Sequence, residues 1–214
     1  QELYYDQLLA LTLSKADQRQ IGFPLSEALV KREQTIAQGS IQNTQYALEH
    51  GISMNIAGGT HHAFKNKPGA FCMLNDQASA ANYLIKKKIS QRVMIVDLDV
   101  HQGNGTASIF ENMDRVYTLS FHGKKNYPFI KQNSDFDFGF EDGTTDADYL
   151  SKLKYELPRR IDAFEPDFIF YLAGVDVLKN DKLGRLELSI EGCKERDRFV
   201  LNLCKTHNLS LIHI

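Results

Sequence analysis

The sequence is poor in features that several protein classes require. Its 214 residues hold only three cysteines, Cys72, Cys193 and Cys204. An odd number without any CxxC spacing argues against a disulfide framework and against a cysteine-based zinc site. A reducing cytoplasm is the simplest compartment for such thiols. No run approaches the roughly 18–20 apolar residues that cross a bilayer, and residues 1–13 lack the charged-then-apolar pattern of a secretion signal. With 25 basic and 27 acidic residues the formal net charge is -2. No electrostatic footprint therefore favours a nucleic-acid backbone or an anionic membrane, and neither is expected as a partner. The one compact basic run, Lys86-Lys87-Lys88, reads as a solvated helix end, where cations suit the negative pole of the macrodipole. Internal repeats and low-complexity segments are absent. There is no initiator methionine, and the final LIHI at 211–214 reads as a strand without its following loop. Both ends are expected to be incomplete.

What remains is the composition of a globular domain, 43% hydrophobic and 24% charged, of a length that one core can serve over residues 1–214. Residues 1–24 show no clear pattern. Ser26 is a candidate N-cap for a helix from Glu27 onward. Its apolar positions are Leu29, Val30, Ile36, Ile41 and the Tyr46–Leu48 group; Gly39 is a possible interruption and Gly51 the end. A short apolar run follows at 52–56. Asn75 caps a further helix to about Lys87. Four continuously apolar runs, at 93–96, 116–121, 168–173 and 209–214, read as strands buried on both faces. Helical patterns at about 146–164 and 190–207 lie between them. Strand and helix alternate, so the class is α/β with a mostly parallel sheet.

In such sheets, sites form beyond the carboxyl ends of the strands, and polar clusters follow the apolar runs here. Asp97-Leu98-Asp99-Val100-His101 comes directly after the 93–96 run. In extended chain Asp97, Asp99 and His101 share a face. Two carboxylates and an imidazole are costly to bury without a partner, and a divalent cation, zinc among them, offsets that cost. A lone D-x-D at a strand end is more often a helix cap. The histidine at the matching position and Gly103-Asn104-Gly105, whose glycines permit a sharp turn, reverse that preference. Gly58-Gly59-Thr60-His61-His62 places adjacent histidines after a glycine pair. Such histidines are commonly surface residues, but beside the D-x-D-x-H element they become proton-transfer candidates. Asp176, after the 168–173 run, is either a turn residue or a third metal ligand that leaves a position for water and substrate.

The segments GGTHHAF (58–64), PGAFCMLND (68–76), DLDVHQGNGT (97–106) and AGVDVLKNDKLG (173–184) resemble histone deacetylases and their acetylpolyamine- and acetoin-utilisation relatives. The resemblance covers about residues 23–214. It implies the three-layer α/β/α arginase/deacetylase fold. It also implies a zinc-dependent hydrolase that removes acetyl or longer acyl groups from lysine side chains or similar amines. The zinc ligands would be Asp99, His101 and Asp176, and a structural K+ or Na+ would sit among Asp97, Asp99, His101, Ser120 and Phe121. His61 would pair with Asp97 and His62 with Asn104. Where class I members carry an aspartate, Asn104 resembles class IV. An uncharged Asn104 orients His62 without stabilising its cation, which makes His62 the expected general base and His61 largely electrostatic. Phe71 and Tyr127 would flank the acyl-lysine channel, against a plain reading of both as core aromatics.

Two departures from the family pattern stand out. The family's oxyanion-donating tyrosine follows a glycine pair after the last strand, and this chain stops at Ile214 before reaching it. Near residues 9–16 family members carry a longer stretch that includes a substrate-gripping loop. Three alternatives follow. The first is an acetylpolyamine-type amidohydrolase with the same chemistry. The second is an inactive zinc-binding interaction module, favoured by the missing tyrosine and opposed by the intact histidine pair. The third is a binuclear arginase-type enzyme, which would need bridging aspartates that Val175-Asp176-Val177-Leu178 lacks.

Overall fold

A computed structural model describes residues 2–213, without the side chain of Glu2. Ile214, the last residue of the strand expected over 209–214, lies outside the described residues. In chain order the elements are α1 (Glu2–Leu9), α2 (Lys15–Ile21), α3 (Glu27–His50), β1 (Ile52–Met54), α4 (Asp76–Lys86), β2 (Val93–Asp97), α5 (Asn104–Phe110), β3 (Val116–Gly123), β4 (Phe136–Phe140), α6 (Asp146–Phe164), β5 (Phe168–Leu172), α7 (Ile190–Thr206) and β6 (Ser210–His213).

The six strands form one sheet in the order β1-β6-β5-β2-β3-β4, and every pairing is parallel. All residues of β2 and β5 are buried, which is why these strands read as unbroken apolar runs. Alternate side chains enter opposite layers. Met94, Val96, Ile169 and Tyr171 pack with Leu153, Leu157 and Val200 of α6 and α7. Val93, Ile95, Phe168 and Phe170 pack with Ala47 of α3, Leu84 of α4 and Phe110 of α5. The result is the three-layer arrangement expected from the sequence.

Several elements differ from the sequence reading. The stretch read as patternless over 1–24 holds α1 and α2, whose Tyr4, Leu8 and Ile21 build a small third core with Leu13, Val30 and Met73. The start of α2 was marked in the sequence by Ser14, which accepts from the Asp17 N–H, and its end by Gly22 at φ +73°. β4 was also passed over. It is an edge strand whose Phe136, Phe138 and Phe140 alternate with Asp137 and Gly139, and all three rings lie within 6.0 Å of the Phe121 ring. Finally, Gly39 does not divide α3. The buried positions Val30, Glu33, Ile36, Ser40, Thr44 and Ala47 form one stripe that runs past it, and packing along that stripe outweighs the roughly 1 kcal/mol propensity cost of one glycine. Among the described residues no helix is long and apolar enough to cross a membrane.

A Cβ at Gly39 would meet the Asn55 carboxamide at 3.4 Å, an ordinary contact. Gly39→Ala is therefore expected to stabilise the chain by about 0.5–1 kcal/mol in urea unfolding. A lower midpoint would mean that Asn55 cannot accommodate the methyl group.

Candidate metal centre and histidine pair

The carboxyl ends of β2 and β5 lie side by side, with Asp97 in register with Leu172. Contrary to the simple reading of one extended face through residue 101, β2 stops at Asp97. Side-chain turns then bend the chain. Asp97 Oδ1 accepts the Asp99 N–H (3.1 Å), and Asp99 Oδ1 accepts the His101 N–H (2.8 Å). The loop after β5 is joined to this bend where Asp176 Oδ1 accepts the Val100 N–H at 3.0 Å.

This bend brings Asp99, His101 and Asp176 to one point. His101 Nδ1 lies 3.0 Å from Asp99 Oδ1 and 2.9 Å from Asp176 Oδ2, and one ligand atom from each of the three residues falls within 4.8 Å of the others. Ligand atoms at about 2.0–2.2 Å from a tetrahedral ion sit roughly 3.3 Å apart. The donor set is thus of the right chemistry and close to the spacing that a single zinc-sized ion would need. Burial alone would lower the His101 imidazolium, but its hydrogen bonds to Asp176 and Asp99 and their charges raise it to about 9.

The glycines around the centre act mainly by leaving room. Gly103 has φ -70°, so it supplies no unusual turn. A Cβ there would lie 2.3 Å from Asp97 Oδ2, and one at Gly174 would lie 2.3 Å from Asp99 Oδ2. Gly59 is different: its φ of +82° makes the bend that the histidine pair requires.

That bent segment is held on several sides. Asp76 accepts the Thr60 N–H and hydroxyl, Thr106 N–H donates to His61 C=O, and Asn75 Nδ2 donates to Ala63 C=O. Asn75 also caps α4, as expected. Both histidines are buried, their rings 4.1 Å apart. His61 Nδ1 is 2.7 Å from Asp97 Oδ2, and His62 Nδ1 is 2.7 Å from Asn104 Oδ1. The two partners separate the histidines chemically. For His61, burial works against the cation, but the Asp97 charge and hydrogen bond outweigh it and raise the group to about 9. For His62, burial and then the neighbouring His61 push it down to about 2, against the Asn104 hydrogen bond and the Asp99 charge. His61 Nε2 lies 4.0 Å from Asp99 Oδ1, and the His62 ring stands 6.0 Å from that of His101.

Of the other expected residues, Tyr127 sits edge-on to His62 with ring centroids 4.9 Å apart. It borders the pair and is not a remote core aromatic. Phe71 stands farther out, 53% exposed, with its ring 5.2 Å from Phe23. Ser120 is the register partner of Asp97 across β2 and β3. The Phe121 side chain belongs to the aromatic group under β4, so only its backbone is available to a cation.

Sequence reasoning missed Gln102. It is fully buried beside His101. Its amide donates to Gln132 C=O and Asp137 and accepts the Gln132 N–H, which ties the bend after β2 to the loop after β3. It also missed Arg196, a cation on the apolar stripe of α7 at Cys193, Arg196, Val200 and Cys204.

The histone deacetylase domain matches residues 2–214 of this chain. The chain belongs to the histone deacetylase family. An uncharacterized protein of Picosynechococcus is 45% identical over 193 residues, covering 90% of this chain and 64% of its own. Histone deacetylase 2 of Arabidopsis thaliana is 34% identical over 177 residues, covering 81% and 46%. The chain thus spans between about half and two thirds of the length of these two relatives. Among solved structures, a histone deacetylase homolog from Aquifex aeolicus has a TM-score of 0.85 at 24% identity, covering all of this chain and 62% of its own. An acetylpolyamine aminohydrolase from Burkholderia pseudomallei has a TM-score of 0.71 at 22% identity, covering 83% and 54%. At these identities the structural likeness is one of fold.

Because His101 holds a proton below about pH 9, zinc binding between pH 6 and 8 is expected to release it. Zinc affinity should then rise about tenfold per pH unit, as read by chelator competition. A flat profile would remove His101 from the ligand set.

Proposed function

We propose that the protein is a zinc-dependent amidohydrolase that removes acetyl or longer acyl groups from lysine side chains or similar amines. One observation carries the reading: two buried imidazoles with unlike partners stand beside a convergent Asp–His–Asp donor set. A metal-binding module without chemistry would not need them.

Asp99, His101 and Asp176 would hold the ion. When bound, zinc polarises the amide carbonyl and lowers the pKa of its water towards ~7. The remaining work falls to the chain's own groups. His62 donates its Nδ1–H to Asn104 Oδ1, so Nε2 carries the free lone pair and the ring is neutral at physiological pH. It takes the proton of the attacking water. His61, kept cationic by Asp97, stabilises negative charge as it develops at the carbonyl oxygen. The carbon–nitrogen bond then breaks and the pair returns a proton to the leaving amine, giving a carboxylate and a free amine. Tyr127 and, farther out, Phe71 would flank the stem of the amine. A structural K+ or Na+ at Asp97, Asp99, His101, Ser120 and Phe121 would hold the same bend from behind. Asn104 supports a class IV assignment, and the three buried, reduced cysteines suit a reducing cytoplasm.

Two experiments test the reading. On a chain extended past Ile214, a zinc-loaded enzyme is expected to hydrolyse acetyl- or long-chain acyl-lysine peptides, and His62→Ala to lower kcat by about 10²–10⁴-fold. Activity that survives His62→Ala, or that is confined to acetylpolyamines, would contradict the proton-transfer role or the lysine substrate respectively. In Asn104→Asp, a carboxylate beside His62 raises its pKa, so the fraction in the basic form falls at low pH. The acidic limb of kcat/KM should therefore move to higher pH by about one to three units. An unmoved limb would assign the base elsewhere.

A further inference from the structure

The metal ligands come from two loops, after β2 and after β5, and their spacing must be set by something other than the ion. Among the described residues, the last backbone bond joining β2 and β5 is Leu98 N–H to Leu172 C=O, 3.0 Å. Beyond it the strands no longer pair, yet Asp99 and Asp176 must stay within one ion's reach. Arg196 spans this gap. It is completely buried, and its guanidinium donates from Nη1 to Gly174 C=O (2.7 Å) and Leu98 C=O (3.2 Å), and from Nη2 to Ala173 C=O (3.0 Å). Its Nε donates to Asp197 Oδ1 (2.9 Å), an oxygen that also accepts the Tyr171 hydroxyl at 2.5 Å.

A buried arginine is normally matched to carboxylates. Here the planar fork is used mostly on carbonyls, and these belong to the residue before Asp99 and to the pair just upstream of Asp176. A rigid fork with five donors can fix three acceptors from two chains in one plane, which a point charge on a flexible stem cannot do.

We propose that Arg196 is a positioning residue that clamps the two ligand-bearing loops at the spacing zinc requires. It acts from behind the site and touches neither substrate nor ion. The proposal rests on the metal reading above, and its test separates the two. Zinc affinity is measured by competition with a chromophoric chelator on wild type, Arg196→Met, Arg196→Lys and Tyr171→Phe, alongside thermal melting after EDTA treatment. Arg196→Met and Arg196→Lys are expected to weaken zinc binding by about ten- to hundredfold while still melting cooperatively. Tyr171→Phe, which disturbs the same core but none of the three carbonyls, is expected to bind zinc as wild type does.

Wild-type affinity in Arg196→Lys would show that charge alone suffices and overturn the clamp. Failure of both arginine variants to fold, while zinc-stripped wild type melts cooperatively, would assign Arg196 to the fold and also overturn it. An equal loss of affinity in Tyr171→Phe would do the same. Absence of zinc uptake by wild type would instead sink the metal reading, and the clamp with it.

Discussion

Three carboxylates, Asp97, Asp99 and Asp176, crowd at the ends of two adjacent strands that are buried on both faces. Two of them can bring oxygens within 4.8 Å of each other. At an effective dielectric near 20, that separation costs roughly 3–4 kcal/mol in repulsion, before any loss of hydration. The surroundings answer this constraint group by group. His61 meets Asp97, His101 lies between Asp99 and Asp176, and backbone N–H groups of Asp99, Val100 and His101 point at carboxylate oxygens. Arg196 adds a buried positive charge behind the same loops. A divalent cation would complete the compensation.

The histidine pair shows how one neighbour changes what a side chain can do. His61 and His62 are adjacent, equally buried and in mutual contact, yet the first faces a carboxylate and the second an amide. The Asp97 charge and hydrogen bond hold His61 above its usual range against burial, whereas burial and then the neighbouring His61 push His62, which has no carboxylate partner, below it. Separated proton affinities of this kind suit an enzyme that must take a proton from one group and stabilise charge on another.

Much of this was legible in the sequence because its signals are local. Apolar runs revealed β2, β3, β5 and β6, and the polar residues just beyond two of them form the convergent Asp–His–Asp donor set. Cap chemistry at Ser26 and Asn75 placed α3 and α4. What escaped depended on partners far away in the chain. Arg196 and Gln102 look like surface residues until α7 and the loop after β3 are folded against the strand ends. β4 was hidden because an edge strand carries a weaker pattern than a central one. The reading of Asp97, Asp99 and His101 as one extended face does not hold, since side-chain turns, not strand alternation, bring Asp99 and His101 together.

The central claim is that three side chains from two loops share one ion. Anomalous X-ray diffraction at the zinc edge, on crystals grown with zinc, tests it directly. The account predicts one strong peak bonded to Asp99, His101 Nδ1 and Asp176 at about 2.0–2.2 Å. A peak held by other residues, or none at this position in zinc-saturated crystals, would contradict it.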